Sequence, residues 1–126
     1  MTLERKIAGK ARTLVEAVIE NTEKHENETA YRSLCESLPI LLRTAGLAQS
    51  AAFLQAKSDE HKKAYKHLED QLRNLGFLKE NETLINKATD PQLPMPQYRL
   101  LFEIAMTIAY WHKRMAQALL RKKGEK

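Results

Sequence analysis

Five residues spaced three or four apart, Arg43, Gly46, Ser50, Phe53 and Lys57, would share one face of a helix. Two cations bracket two small residues and an aromatic ring. Those parts suit a nucleic-acid backbone, with ammonium and guanidinium donors for phosphate and a ring for stacking. A plainer reading competes: Gly46 and Ser50 allow close helix packing and Phe53 belongs to the core. Lys63, Lys113 and Arg114, then Lys6 and Lys10, are further cations on expected outer helix faces. Together with Arg43 and Lys57 they are the candidate phosphate contacts, seven in all.

Other reactive side chains form no recognisable constellation. The four histidines, His25, His61, His67 and His112, include no i, i+4 pair, so no helical metal site is expected. His61 and His67 are expected on different sides of their helix, each facing solvent. Cys35 is the lone cysteine, so no intrachain disulfide and no cysteine zinc site can form. A metal-independent ribonuclease would need an acid and a base, such as His67 with Lys63, but no spacing requires that pair. No phosphate-cradling glycine loop is present, and no cofactor is implied. Catalysis is not expected.

The elements that carry these residues read as helices throughout. Leu3, Ile7, Ala11, Leu14 and Val18 recur at helical spacing. The polar run Asn21–Asn27 reads as a loop, with Asn27 as N-cap of a short helix whose inner face is Tyr31, Leu34, Cys35 and Leu38. Pro39 should bend the chain at Leu38 and open the next helix. In that helix Leu41, Leu42, Ala45, Ala48, Ala51, Ala52 and Ala56 form one broad apolar face. Gly46 either breaks it or permits one tight crossing. Ser58 should cap a helix carrying Ala64 or Tyr65, Leu68, Leu72 and Leu75 inward, closed by Gly76. A minor helix is expected around Glu80–Ala88. Thr89–Pro96 holds three of the four prolines and must be extended. A last helix of about 25 residues runs from Gln97 to Arg121, with Leu101, Ile104, Ala105, Ile108, Trp111, Met115 and Leu119 inward. The fold class is all-α, a compact single-domain bundle of about six or seven helices over 1–122. A disordered basic tail is expected at 123–126.

At 126 residues the chain suits one domain with one core. Its 21 Lys and Arg exceed 16 Asp and Glu, a formal charge of +5 that suits an acidic partner without requiring one. No apolar stretch is long enough to span a bilayer, and the charged N-terminus does not lead into a signal-peptide core, so cytoplasmic location is expected. A DNA-binding regulator is the alternative, because Ala45–Ser50 loosely resembles the turn of a helix-turn-helix spanning 39–57. Against it, Ser50–Ala56 is poor in side chains that read base edges.

The run Leu38–Lys57, preceded by Tyr31-Arg32-Ser33 and followed by Tyr98-Arg99 and Trp111–Ala116, resembles one family. It is the small subunit of the type III-B CRISPR effector, the Cmr RNA-silencing complex, and the pattern covers nearly the whole chain. The resemblance implies a non-catalytic helical subunit whose copies stack beside the guide RNA–target RNA duplex. The partners it implies are the backbone and large subunits, further copies of itself, CRISPR RNA and target RNA. Cleavage, DNA degradation and cyclic-oligoadenylate synthesis would belong to other subunits. Matched positions are Gly46, Leu47, Phe53, Leu54, Lys57, Trp111 and Arg114. Lys57 and Arg114 suit phosphate, whereas Gly46, Phe53 and Trp111 would preserve packing. Met115 stands where the family pattern leads one to expect phenylalanine, a volume-tolerant change.

Overall fold

A computed structural model describes residues 2–21 and 25–121, and the expected basic tail lies outside them. Among the described residues five helices run in order: α1 (Leu3–Asn21), α2 (His25–Ala56), α3 (Asp59–Asn74), α4 (Leu84–Ala88) and α5 (Met95–Leu119). No strand occurs among the described residues. The all-α class holds, but five helices replace the expected six or seven.

The difference lies mainly in α2, which at 32 residues absorbs two expected helices. It already runs at His25, upstream of the expected cap at Asn27; of the expected loop, residues 22–24 lie outside the described residues. Pro39 sits inside it and opens nothing. A proline there removes one i→i−4 hydrogen bond. The buried stripe Leu34, Cys35, Leu38 and Leu42 continues in helical register across it, so packing holds the helix on both sides.

Gly46 does break the register. Its φ of 82° and ψ of 169° lie in a region that is essentially glycine-only. Two hydrogen bonds brace the kink. The Ser50 hydroxyl donates to the Leu41 carbonyl at 3.2 Å, and the Ala48 N–H donates to the Tyr98 hydroxyl at 3.4 Å. Past the kink the buried set restarts as Leu47, Ala51 and Leu54, so Ala52 and Ala56 face solvent. The single alanine-lined face expected from Leu41 to Ala56 is therefore two faces.

Residue Ser58 occupies the N-cap of α3, yet its hydroxyl bonds the His61 Nδ1 at 2.7 Å instead of a backbone N–H. The α3 C-terminus closes as expected on Gly76, with φ 89° and hydrogen bonds from Gly76 N–H to Arg73 and from Phe77 N–H to Leu72. Thr83 caps the short α4 by accepting from the Asn86 N–H.

The long α5 packs between α1 and α2, and α3 closes against α2. The buried face of α5 is Leu101, Ile104, Ala105, Ile108, Ala109, His112 and Ala116, while Trp111, Met115 and Leu119 lie at the edge. Two buried charges near the start of α2 hold the far end of α5. The Arg32 guanidinium donates to the Leu120 carbonyl at 2.9 Å, and the Glu28 carboxylate accepts the Arg121 N–H at 2.8 Å. No described helix is long and apolar enough to cross a membrane.

Candidate nucleic-acid interface

The seven candidate cations fall into three groups, because the Gly46 kink and the helix packing separate them. On the α2–α5 ridge the exposed Arg43 donates to the Tyr110 hydroxyl, its guanidinium carbon 5.9 Å from the ring centroid. Arg114 is exposed one turn further along α5, and Lys113 beside it is half-buried. At the α2–α3 turn the exposed Lys57 places its ammonium 4.8 Å from the Phe53 centroid. The His61 ring meets the same phenylalanine edge-on at 5.5 Å. Between α1 and α3, Lys10 and Lys63 are half-buried, and Lys6 is exposed one turn before Lys10. The five-residue face read from the sequence is therefore not one surface: Arg43 lies before the kink, Phe53 and Lys57 after it.

Phe53 does not preserve packing. It is 40% exposed, and what it touches is a cation and an imidazole. Ser50 is buried and serves the kink, as the packing reading has it.

None of the seven cations forms a salt bridge with a carboxylate among the described residues. Arg12, Arg32, Lys66, Arg73 and Lys87 by contrast are all in such pairs. Exposed pairs of that kind contribute little stability. The seven share the lack of a salt bridge with Arg5, Lys62, Lys79 and Arg99, so among the described residues most cations have no anion supplied by the fold.

Beneath the α1–α3 group runs a polar chain that the sequence did not disclose. The Tyr31 hydroxyl and His67 Nδ1 share a hydrogen bond of 2.6 Å. The His67 and His112 rings lie 5.9 Å apart. His112 Nε2–H donates to the Gln71 side-chain oxygen, and the Gln71 amide donates to the Ile7 carbonyl at 3.2 Å. Residues from α1, α2, α3 and α5 thus meet through side-chain polar groups. His112 is only 3% exposed, and burial, helped by His67, pushes its pKa down to about 3. Burial, then the nearby Lys63, pushes His67 down to about 4. Both rings are neutral at pH 7. Burial raises the Tyr31 pKa and pushes the Cys35 thiol up to about 12, so neither ionises there. His67 is therefore tied into the core, not free to solvent as its spacing suggested. A signal for His112 existed: it lies four residues from both Ile108 and Ala116, in the middle of the apolar stripe.

The helix-turn-helix alternative finds no matching geometry. Residues 39–56 lie in α2, whose two helical stretches join at Gly46 without a multi-residue turn, and the second stretch exposes Gln49, Ala52, Phe53, Gln55 and Ala56. Among the described residues no three His, Cys, Asp or Glu side chains converge as a metal site.

Known proteins resemble this chain along nearly all its length. Residues 3–119 match the family described as CRISPR-associated protein (Cas_Cmr5). A Thermus thermophilus protein described as CRISPR system Cmr subunit Cmr5 is 32% identical over 102 residues, 81% of this chain and 85% of that one. The crystal structure of a CRISPR-associated Cmr5 family protein from Thermus thermophilus superposes with a TM-score of 0.76. It is 30% identical and covers 96% of this chain and 100% of its own.

Proposed function

Because this chain belongs to the Cmr5 family, the small subunit of the type III-B CRISPR Cmr complex, we propose that it steadies target RNA on the guide. In this reading it is a non-catalytic helical brick of a cytoplasmic ribonucleoprotein that serves antiviral defence. Copies of it stack beside the guide RNA–target RNA duplex, next to the backbone and large subunits. Its role is to hold a strand that other subunits select and cut.

One observation carries the reading. Arg43, Lys57, Lys63, Lys113, Arg114, Lys6 and Lys10 have no carboxylate partner among the described residues, in contrast to five other cations of the same fold. Cations left unneutralised on several faces suit a backbone of phosphates, and affinity gained that way comes largely from counterion release. Arg43 and Lys57 also lie against aromatic rings, which orient their charge without neutralising it.

The test is reconstitution of the Cmr complex with and without this subunit, following dissociation of labelled target RNA. Faster release without it, steepening with salt, is expected. Equal release would remove the role, and RNA cleavage by the isolated subunit would overturn its non-catalytic character.

A further inference from the structure

We propose that the α1–α3 seam is a discrete oxyanion site that takes one phosphate group, with Lys10, Lys63 and the His67 imidazole as its recognition groups. A cavity of about 80 Å³ opens there, lined by Ala17 and Val18 of α1 and by Lys63 and His67 of α3. On the scale in which one water needs about 10–15 Å³, the cavity has room for a small tetrahedral anion.

The charges around it are unbalanced. Lys10 lies two turns before Ala17 on the same side of α1 and is close enough to act on His67, as Lys63 and Lys66 also are. Asp70 is the one carboxylate that acts on His67, and it is already engaged by Lys66 at 3.8 Å and Arg73 at 3.3 Å. The other helices bring no acid: Tyr31 from α2 and His112 from α5 both reach the ring as neutral groups. Lys10 and Lys63 are thus two half-buried lysines without a salt-bridge partner among the described residues. An oxyanion beside Lys63, with Lys10 nearby, supplies the counter-charge that the described residues do not.

The imidazole completes the site. Its Nδ1 is held by Tyr31, which fixes a ring that lines the cavity, and its other nitrogen is Nε2. Protonated, that nitrogen donates to an anionic oxygen, so an anion in the seam favours the imidazolium.

The identity of the phosphate rests on the RNA-retention reading, in which it is a backbone phosphodiester; the site itself does not. The test is a titration of the full-length protein at pH 6, following the His67 ring resonances by NMR, with inorganic phosphate in one arm. A second arm uses a short oligoribonucleotide lacking terminal phosphates. Phosphate is expected to shift His67 saturably and to raise its pKa by about one unit or more. Lys63→Met and Lys10→Met, checked for unchanged melting, are expected to weaken that response at least fivefold. No saturable response to phosphate overturns the site, whatever the intact complex does with target RNA. A response to acetate as large as that to phosphate overturns the phosphate assignment. A response to phosphate with none to the oligoribonucleotide upholds the site and removes RNA as its source.

Discussion

The two edges of α3 use similar residues to opposite ends. Along its inner edge His67 and Gln71 meet Tyr31 and His112 through neutral polar groups bonded to one another and to the backbone. Along its outer edge Lys62 meets solvent and Lys63 lies at the rim of the bundle, and neither is in a salt bridge among the described residues. A few residues of offset along one helix thus separate a group that ties four helices together from groups available to a partner. Burial beneath α2 and α5 makes the difference, since it penalises charge on the inner edge and leaves it free on the outer one. The inner set should therefore govern stability, and the outer set should govern binding.

The largest effect is expected from breaking the inner edge. His112→Ala removes a fully enclosed ring and strands the Gln71 oxygen, at a cost of about 3 kcal/mol. Urea denaturation checks this, and a loss under about 1 kcal/mol would mean that the polar chain contributes little. Next is the kink that divides α2 into two faces. Gly46→Ala leaves the added methyl in open space but forces a residue with a side chain to φ 82°. The expected cost is about 2 kcal/mol from backbone strain alone.

The inner histidines also predict a pH dependence. In the fold His112 is pushed down to about 3 and His67 to about 4, below the ordinary 6.5. Between those values the unfolded chain binds protons that the folded chain refuses. Their contribution is fully present above about pH 6.5 and is lost as pH falls toward 4 and then 3, at up to ~1.4 kcal/mol per pH unit for each ring. Denaturation midpoints measured from pH 7 to pH 4 should decline steadily, and the decline should be shallower in His67→Gln. A flat profile would contradict neutral burial of both rings.

The smallest stability effect is expected on the outer face. Reversing Lys57 or Arg114 to glutamate should change stability by less than about 0.5 kcal/mol, because both are exposed and neither is in a salt bridge. A larger loss in either would place that residue with the inner set.

Much of this division was legible in the sequence. The apolar spacing of α1, the Gly76 closure of α3 and the length of α5 followed from local rules, because each depends on neighbours within a turn or two. Pro39 and Gly46 show where such rules stop. Both are helix breakers by composition, yet tertiary packing carries α2 through the proline, while at Gly46 Tyr98 supplies a hydrogen bond from 50 residues away. The seven cations were legible as types, but their sorting into three groups was not, because the kink and the α1–α3 packing are tertiary. Phe53 misled because helical spacing cannot tell a buried ring from one that meets a lysine. The bonds from His67 to Tyr31, 36 residues apart, and from His112 to Gln71, 41 apart, left no local mark.

The most direct test reads both edges in one variant. Arg43, Lys57 and Arg114 are reversed together to glutamate, the protein is melted, and it is then assembled into the Cmr complex to time the release of target RNA. An unchanged melting profile is expected, with release at least tenfold faster and a shallower dependence on salt, by ~0.7–0.9 for each phosphate no longer bound. Release at the parental rate from a complex of normal composition would contradict the account.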